Sequence, residues 1–185
     1  MPRSIVFVIA LAMTIAPPLV AQSHPALSLD VTLGGSSGSG GRQDYYDSVD
    51  ISAEVTLGLR QHPERALSWL SAVTVGRRSP LEFGDKCVVR LGGGSGCAPA
   101  FPTFSHLGLL GGGEWRRAAT AVRVLAGPAF YAGGGASGLG AQLHLDGAVG
   151  FRHLAFVAAA RGSWIARVSG ETLRCHSLEF GLRVQ

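Results

Sequence analysis

Charge is scarce in this sequence. Asp, Glu, Lys and Arg together make up 15% of the chain, against ~25% in an average soluble domain. Long apolar runs are scarcer still. After residue 21 nothing approaches the length of a membrane-spanning helix, and the longest pure run is 154–160. Spanning helices need ~20 such residues each, so a helical membrane protein is excluded. Helical periodicity is also hard to find. The formal charge of +4 comes from scattered arginines with no basic cluster, which removes nucleic acid as a partner. Three cysteines and six histidines are present, and none has the spacing of a zinc or other metal site.

What is present begins with an export signal. Arg3 supplies the positive start, 5–15 is apolar apart from Thr14, and Pro17 and Pro18 stop the helix before the small residue Ala21. The apolar run is too short for a retained anchor. Residues 1–21 therefore read as a signal peptide, and 22–185 as one domain. Export carries the cysteines into an oxidising compartment. Cys87 and Cys97 sit close together in a Gly/Pro-rich stretch, which makes a local disulfide the leading expectation. Cys175 is left over, and its pairing with either of the others stays open.

Period-two alternation dominates the exported part. Leu27, Leu29, Val31 and Leu33 share one face, against Ser28, Asp30 and Thr32 on the other. Val49, Ile51, Ala53, Val55, Leu57 and Leu59 likewise oppose Asp50, Ser52, Glu54, Thr56, Gly58 and Arg60. Six further segments follow near 66–76, 104–115, 119–131, 139–151, 154–164 and 176–185. Each is about as long as a tilted membrane-spanning strand, ~9–11 residues. The gaps between segments are 35–48, 61–65, 77–103, 116–118, 132–138, 152–153 and 165–175. Long alternates with short. In an up-and-down meander this puts every long loop at one end and every tight turn at the other, as in outer-membrane barrels.

The two faces decide between lipid outside and water outside. A soluble lipocalin-like carrier would show its polar face to water. Here that face is rich in Gly, Ala and Ser with a few charges of both signs, which suits the crowded interior of a narrow barrel. The aromatics agree with lipid outside. Trp69, Trp115, Phe151 and Phe156 lie beside short turns, and Phe130 and Trp164 beside long loops. Together they form two expected girdles at the membrane interfaces.

The fold class expected is all-β: an eight-stranded antiparallel up-and-down transmembrane β-barrel behind an N-terminal signal peptide. With its signal, eight alternating strands and four long loops, the chain resembles the OmpX/OmpA-type family of small outer-membrane barrels. The resemblance implies an outer-membrane location, insertion by the barrel-assembly machinery, and contact with outer-membrane lipid and lipopolysaccharide by a monomer.

With eight strands the interior is just wide enough for side chains. Asp30, Glu54, Arg123, Asp146, Arg161 and Glu179 are expected to form an ionic network that fills the lumen, because buried charges must be paired. Equal depth pairs Arg161 with Glu179 and Arg123 with Asp146, and Glu54 is an alternative partner for either arginine. The other lumen candidates are Glu114, His144 and Arg183. Ser105-His106 and His176-Ser177 tempt a nucleophile reading, but strand neighbours point to opposite faces. Gly133, Gly135 and Gly138 match a nucleotide-binding glycine pattern without the helix it requires. The 77–103 loop, with Arg77, Arg78, Lys86 and Arg90, is a candidate contact for lipopolysaccharide. The expected function is a non-enzymatic barrel with a filled lumen and long surface loops, without cofactor or metal, serving envelope structure or surface interaction. A lipid A- or phospholipid-modifying barrel enzyme and a soluble periplasmic carrier are the alternatives.

Overall fold

A computed structural model of the chain describes residues 25–40, 50–80, 86–90, 94–98, 103–133, 137–151, 153–167 and 172–185. The expected signal peptide lies outside the described residues. The ten strands among the described residues are β1 (Ala26–Gly40), β2 (Asp50–Arg60), β3 (Leu67–Pro80), β4 (Lys86–Arg90) and β5 (Gly94–Ala98), then β6 (Phe104–Arg117), β7 (Thr120–Ala132), β8 (Gly138–Phe151), β9 (Leu154–Arg167) and β10 (Thr172–Val184). Eight of them close into an antiparallel barrel in the order β1-β10-β9-β8-β7-β6-β3-β2, while β4 and β5 form a separate hairpin. Closure gives each of the eight barrel strands a neighbour on both sides, which is what a sheet needs in hydrocarbon, where water cannot satisfy backbone N–H and C=O groups.

Alternation sets the two surfaces. Leu29, Val31, Val55, Leu57, Val73, Leu145, Phe180 and Leu182 are all exposed on the outside, and Asp30, Glu54, Glu114, Arg123, Arg183 and Glu179 are all buried inside. A water-soluble barrel has the opposite arrangement. The apolar exterior therefore belongs in a bilayer, and a soluble carrier is ruled out. Arginine in place of Leu29 or Val55 should cost roughly 2–4 kcal/mol if placed near the midplane. Urea unfolding of barrels folded into phospholipid vesicles measures this cost. Near-zero cost at both positions would mean that this face does not meet lipid.

The strands run further than alternation alone indicates. β1 continues through Gly34 to Gly40, and β3 continues to Pro80, so the connections at the loop end are shorter than the sequence spacing implied. The Gly/Ser run of β1 has weak strand propensity, but it is paired on both sides, with β10 and with β2 as far as Ser36. Tertiary pairing overrides local preference there. Arg78, expected in a loop, accordingly sits on β3 and points into the barrel.

Glycines let neighbouring strands come close at β6 and β7, as they do at Gly34, Gly140 and Gly181. A Cβ on Gly112 would lie 2.0 Å from the Val124 carbonyl oxygen, and one on Gly127 equally close to that of Leu109. Only glycine tolerates such approach. Beside Gly127 stands Pro128, which has no N–H to give. The register between β6 and β7 skips Leu109 and Leu110, while Pro128 still faces Ala141 of β8.

Candidate functional site

Lumen-facing positions from all eight barrel strands meet in the interior, and their charges fall into layers. Nearest the turn end, Glu114 of β6 accepts hydrogen bonds from Arg60 Nη1 (2.6 Å), Arg116 Nη2 (3.1 Å) and Arg123 Nε. Arg123 also reaches across the barrel to Asp30 (3.0 Å) and the Ser28 hydroxyl (3.0 Å). Arg183 of β10 grips Asp30 with two nitrogens, at 2.8 and 2.7 Å. Its Nη2 lies 3.7 Å from Asp146. This bidentate geometry is the strongest form of guanidinium–carboxylate contact.

The second layer is built on Arg161 of β9. It pairs with Glu54 and, at 3.2 Å, with Glu179. Its Nη2 donates to the Thr32 hydroxyl (2.9 Å), which itself donates to Glu179 (2.6 Å). Ser177 donates to the other Glu179 oxygen (2.9 Å), and Thr56 to Glu54 (3.0 Å). His106 Nε2 meets Glu54 at 3.0 Å. His144 Nδ1 stands 3.7 Å from Glu54, too far for a hydrogen bond. Toward the loop end, Arg78 donates to Asp50 at 3.0 Å.

Six arginines thus face six carboxylates, and each described arginine of the lumen contacts at least one of them. Apolar side chains fill what the ions leave. Leu70, Ala72, Leu110 and Leu125 pack between β3, β6 and β7, and Phe104, Tyr131, Ile165, Leu173 and Cys175 pack at the loop end. One lumen cavity lined by Glu54, His144, Arg161 and Glu179 measures about 30 Å³, roughly the space of one water. Among the described residues no cluster of His, Cys, Asp and Glu could hold a metal ion.

The structure brings all six network residues named from the sequence into the lumen, but it redistributes the bonds. Arg161 meets Glu179, and also Glu54. Arg123 does not bond to Asp146. The two are register partners on β7 and β8, yet Arg123 is also the register partner of Glu114 on β6, and its guanidinium turns that way and to Asp30. Asp146 is left to Arg183. Sequence reasoning missed Asp50, Arg60, Arg78 and Arg116 as network members, although strand parity already placed Asp50 and Arg60 on Glu54's face.

Trp69, Trp115 and Phe156 are exposed near the turn end, and Phe130 and Trp164 near the loop end. The Phe151 side chain lies outside the described residues, as do those of Cys87 and Cys97. The backbone register of the β4–β5 hairpin sets those two cysteines directly opposite one another. Ser105 is exposed while its neighbour His106 turns inward, and His176 is exposed while Ser177 turns inward. Neither pair can share a hydrogen bond. Gly133 adopts a positive φ of 124° at the end of β7, and a strand follows it, so it belongs to a connection between strands.

No family model and no curated protein matches the sequence. Among solved structures, neisserial surface protein A is similar at 15% identity, covering 88% of this chain and 99% of its own, with a TM-score of 0.52. The attachment invasion locus protein Ail of Yersinia pestis matches at 13% identity over 84% of this chain and 97% of its own, with a TM-score of 0.41. With its closed eight-stranded sheet, lipid-facing exterior and charged interior, the chain has the fold of the small eight-stranded barrels of the outer membrane.

Proposed function

We propose that the chain is a non-enzymatic outer-membrane barrel whose lumen is filled by side chains and whose loop end serves envelope structure or surface interaction. The observation that carries this reading is the balance of the lumen. Among the described residues its six arginines are all engaged by six carboxylates, and apolar clusters pack beside and between them. Charges held this way line no continuous aqueous path. Neither lumen histidine is hydrogen-bonded to a hydroxyl among the described residues, His106 meeting Glu54 instead, whereas an activated hydroxyl needs its base within ~3 Å. In this reading the barrel works as a monomer without a cofactor, is inserted by the barrel-assembly machinery, and has outer-membrane lipid and lipopolysaccharide as its immediate partners. Protein reconstituted into planar bilayers should give little or no ion conductance. Steady single-channel currents of porin size would overturn the proposal.

The cysteine pair belongs to the same reading. Facing residues of an antiparallel ladder have Cα atoms ~4.5–5.5 Å apart, within the ~4.4–6.8 Å that a disulfide spans. A Cys87–Cys97 bond would staple the hairpin, contributing about 3 kcal/mol for so short a loop. Peptide mapping of oxidised protein without reductant should recover the two cysteines in one linked fragment, with Cys175 unlinked. Recovery of Cys175 in a cross-link would refute this pairing.

A further inference from the structure

The lipid-facing wall has a depression. Outward positions near its middle carry small residues, Ala158 and Ala160 on β9 beside Gly147 on β8, between the larger Leu145 on one side and Leu178 and Phe180 on the other. The registers Leu145–Ala160–Leu178 and Gly147–Ala158–Phe180 set these residues side by side. The result is a groove of about 400 Å³. One register step toward the loop end, Gly162 faces His176, and one step further Trp164 faces Arg174. The Trp164 ring bends over Gly162, where a Cβ would come within 3.0 Å of it.

The rim above the groove is basic. Arg174 and His176 both point outward and are exposed, and neither has a hydrogen bond or ion pair among the described residues. The carboxylates of the barrel strands all point into the lumen, and Glu64, at the turn end, is the one described acidic side chain outside it. An apolar channel thus leads up to a guanidinium, an imidazole and an indole, at the height where aromatic side chains mark the membrane interface.

We infer that this groove holds one acyl chain of a lipopolysaccharide molecule whose phosphate meets Arg174 and His176. The inference rests on the outer-membrane placement in the proposed function, with the loop end outward. From Ala158 to Gly162 is four residues of strand, about 10 Å of depth at a ~40° tilt, against ~15 Å of hydrocarbon in one leaflet. A chain lying there fills a void whose lining would otherwise lack contacts. A charged phosphate gains hydrogen bonds from both basic side chains. A second copy of the barrel is the poorer occupant. A two-fold contact through this face would set two concave grooves and two basic rims against each other.

Native mass spectrometry of the folded barrel with purified rough lipopolysaccharide tests this, with phosphatidylcholine and dephosphorylated lipopolysaccharide as parallel probes. One lipopolysaccharide should stay bound to the wild-type chain. Retention should fall about ten-fold in Arg174→Gln/His176→Gln, and similarly in Ala158→Leu/Ala160→Leu, where the groove is filled. The dephosphorylated probe should bind the wild type no better than the natural lipid binds the first variant. Equal retention by all three proteins, equal retention of phosphatidylcholine, or a dimer lost on filling the groove would each overturn the inference. If the filled variant does not fold, the exposed pair Arg174 and His176 decides alone. Porin-sized currents with lipid retention unchanged would sink the filled-lumen reading and leave this site standing.

Discussion

Replacing Arg161 with Met should cost the folded barrel about 3–5 kcal/mol, the usual penalty for removing one partner from a buried ionic group. Arg161 stands between Glu54 and Glu179, so its loss leaves two buried carboxylates facing each other with Thr32, Thr56, Ser177 and His106 as their donors. Hydroxyl donors do not neutralise charge. The double variant Arg161→Met/Glu179→Leu should recover only part of the loss, because Glu54 keeps its charge and retains His106 alone at hydrogen-bond distance among titratable groups. Adding Glu54→Leu should recover most of the remainder, since well-packed apolar replacements of whole ionic groups are often neutral. Urea unfolding in vesicles, followed by tryptophan fluorescence, gives each step. Full recovery in the double variant would show that Glu54 does not depend on Arg161. Additive losses for Arg161 and Glu179 would show that the two do not touch.

The architecture was largely legible, and the reason is geometric. Side-chain direction in a strand has a period of exactly two residues by construction, so a run such as Leu27 to Leu33 reveals its faces without knowledge of its neighbours. Strand ends were not legible. Gly34 to Gly40 carries no apolar alternation, and its strand conformation is imposed by β10 and β2. The bonds of the lumen were legible only in part. Depth counting compares neighbours along the wall, and it found Arg161 with Glu179. It failed for Arg123, because a guanidinium on a long stem can cross an eight-stranded lumen and choose among carboxylates on several strands. Asp30, on β1, lies on the far side of the barrel order from β7, and no wall-by-wall count reaches it. The lipid-wall groove could not be found from sequence either, since Ala and Gly in two separate segments, and the larger residues that flank them, become one surface only when the register is known.

The largest single loss should come from Glu114→Leu, at the upper end of ~3–5 kcal/mol or beyond it, to the point of failed insertion. Glu114 is fully buried and is the shared acceptor for Arg60, Arg116 and Arg123. The three guanidiniums differ in what they keep without it. Arg123 retains Asp30 and Ser28. Arg116 is about a quarter exposed, at 28%, and borders a cavity of about 70 Å³ at the turn end, so water can take it. Arg60 has neither alternative: it is nearly buried, and Glu114 is its carboxylate among the described residues. The penalty therefore falls chiefly on Arg60, together with the repulsion among three cations that no longer share an anion. Glu114→Gln, which keeps shape and an acceptor oxygen but no charge, should fall between wild type and Leu. Arg60→Met alone should be mild, because Glu114 keeps two partners. Combining it with Glu114→Leu should rescue more stability than combining Glu114→Leu with Arg116→Met. The reverse order of rescue in a urea series would place the uncompensated charge on Arg116 and refute this account of the hub.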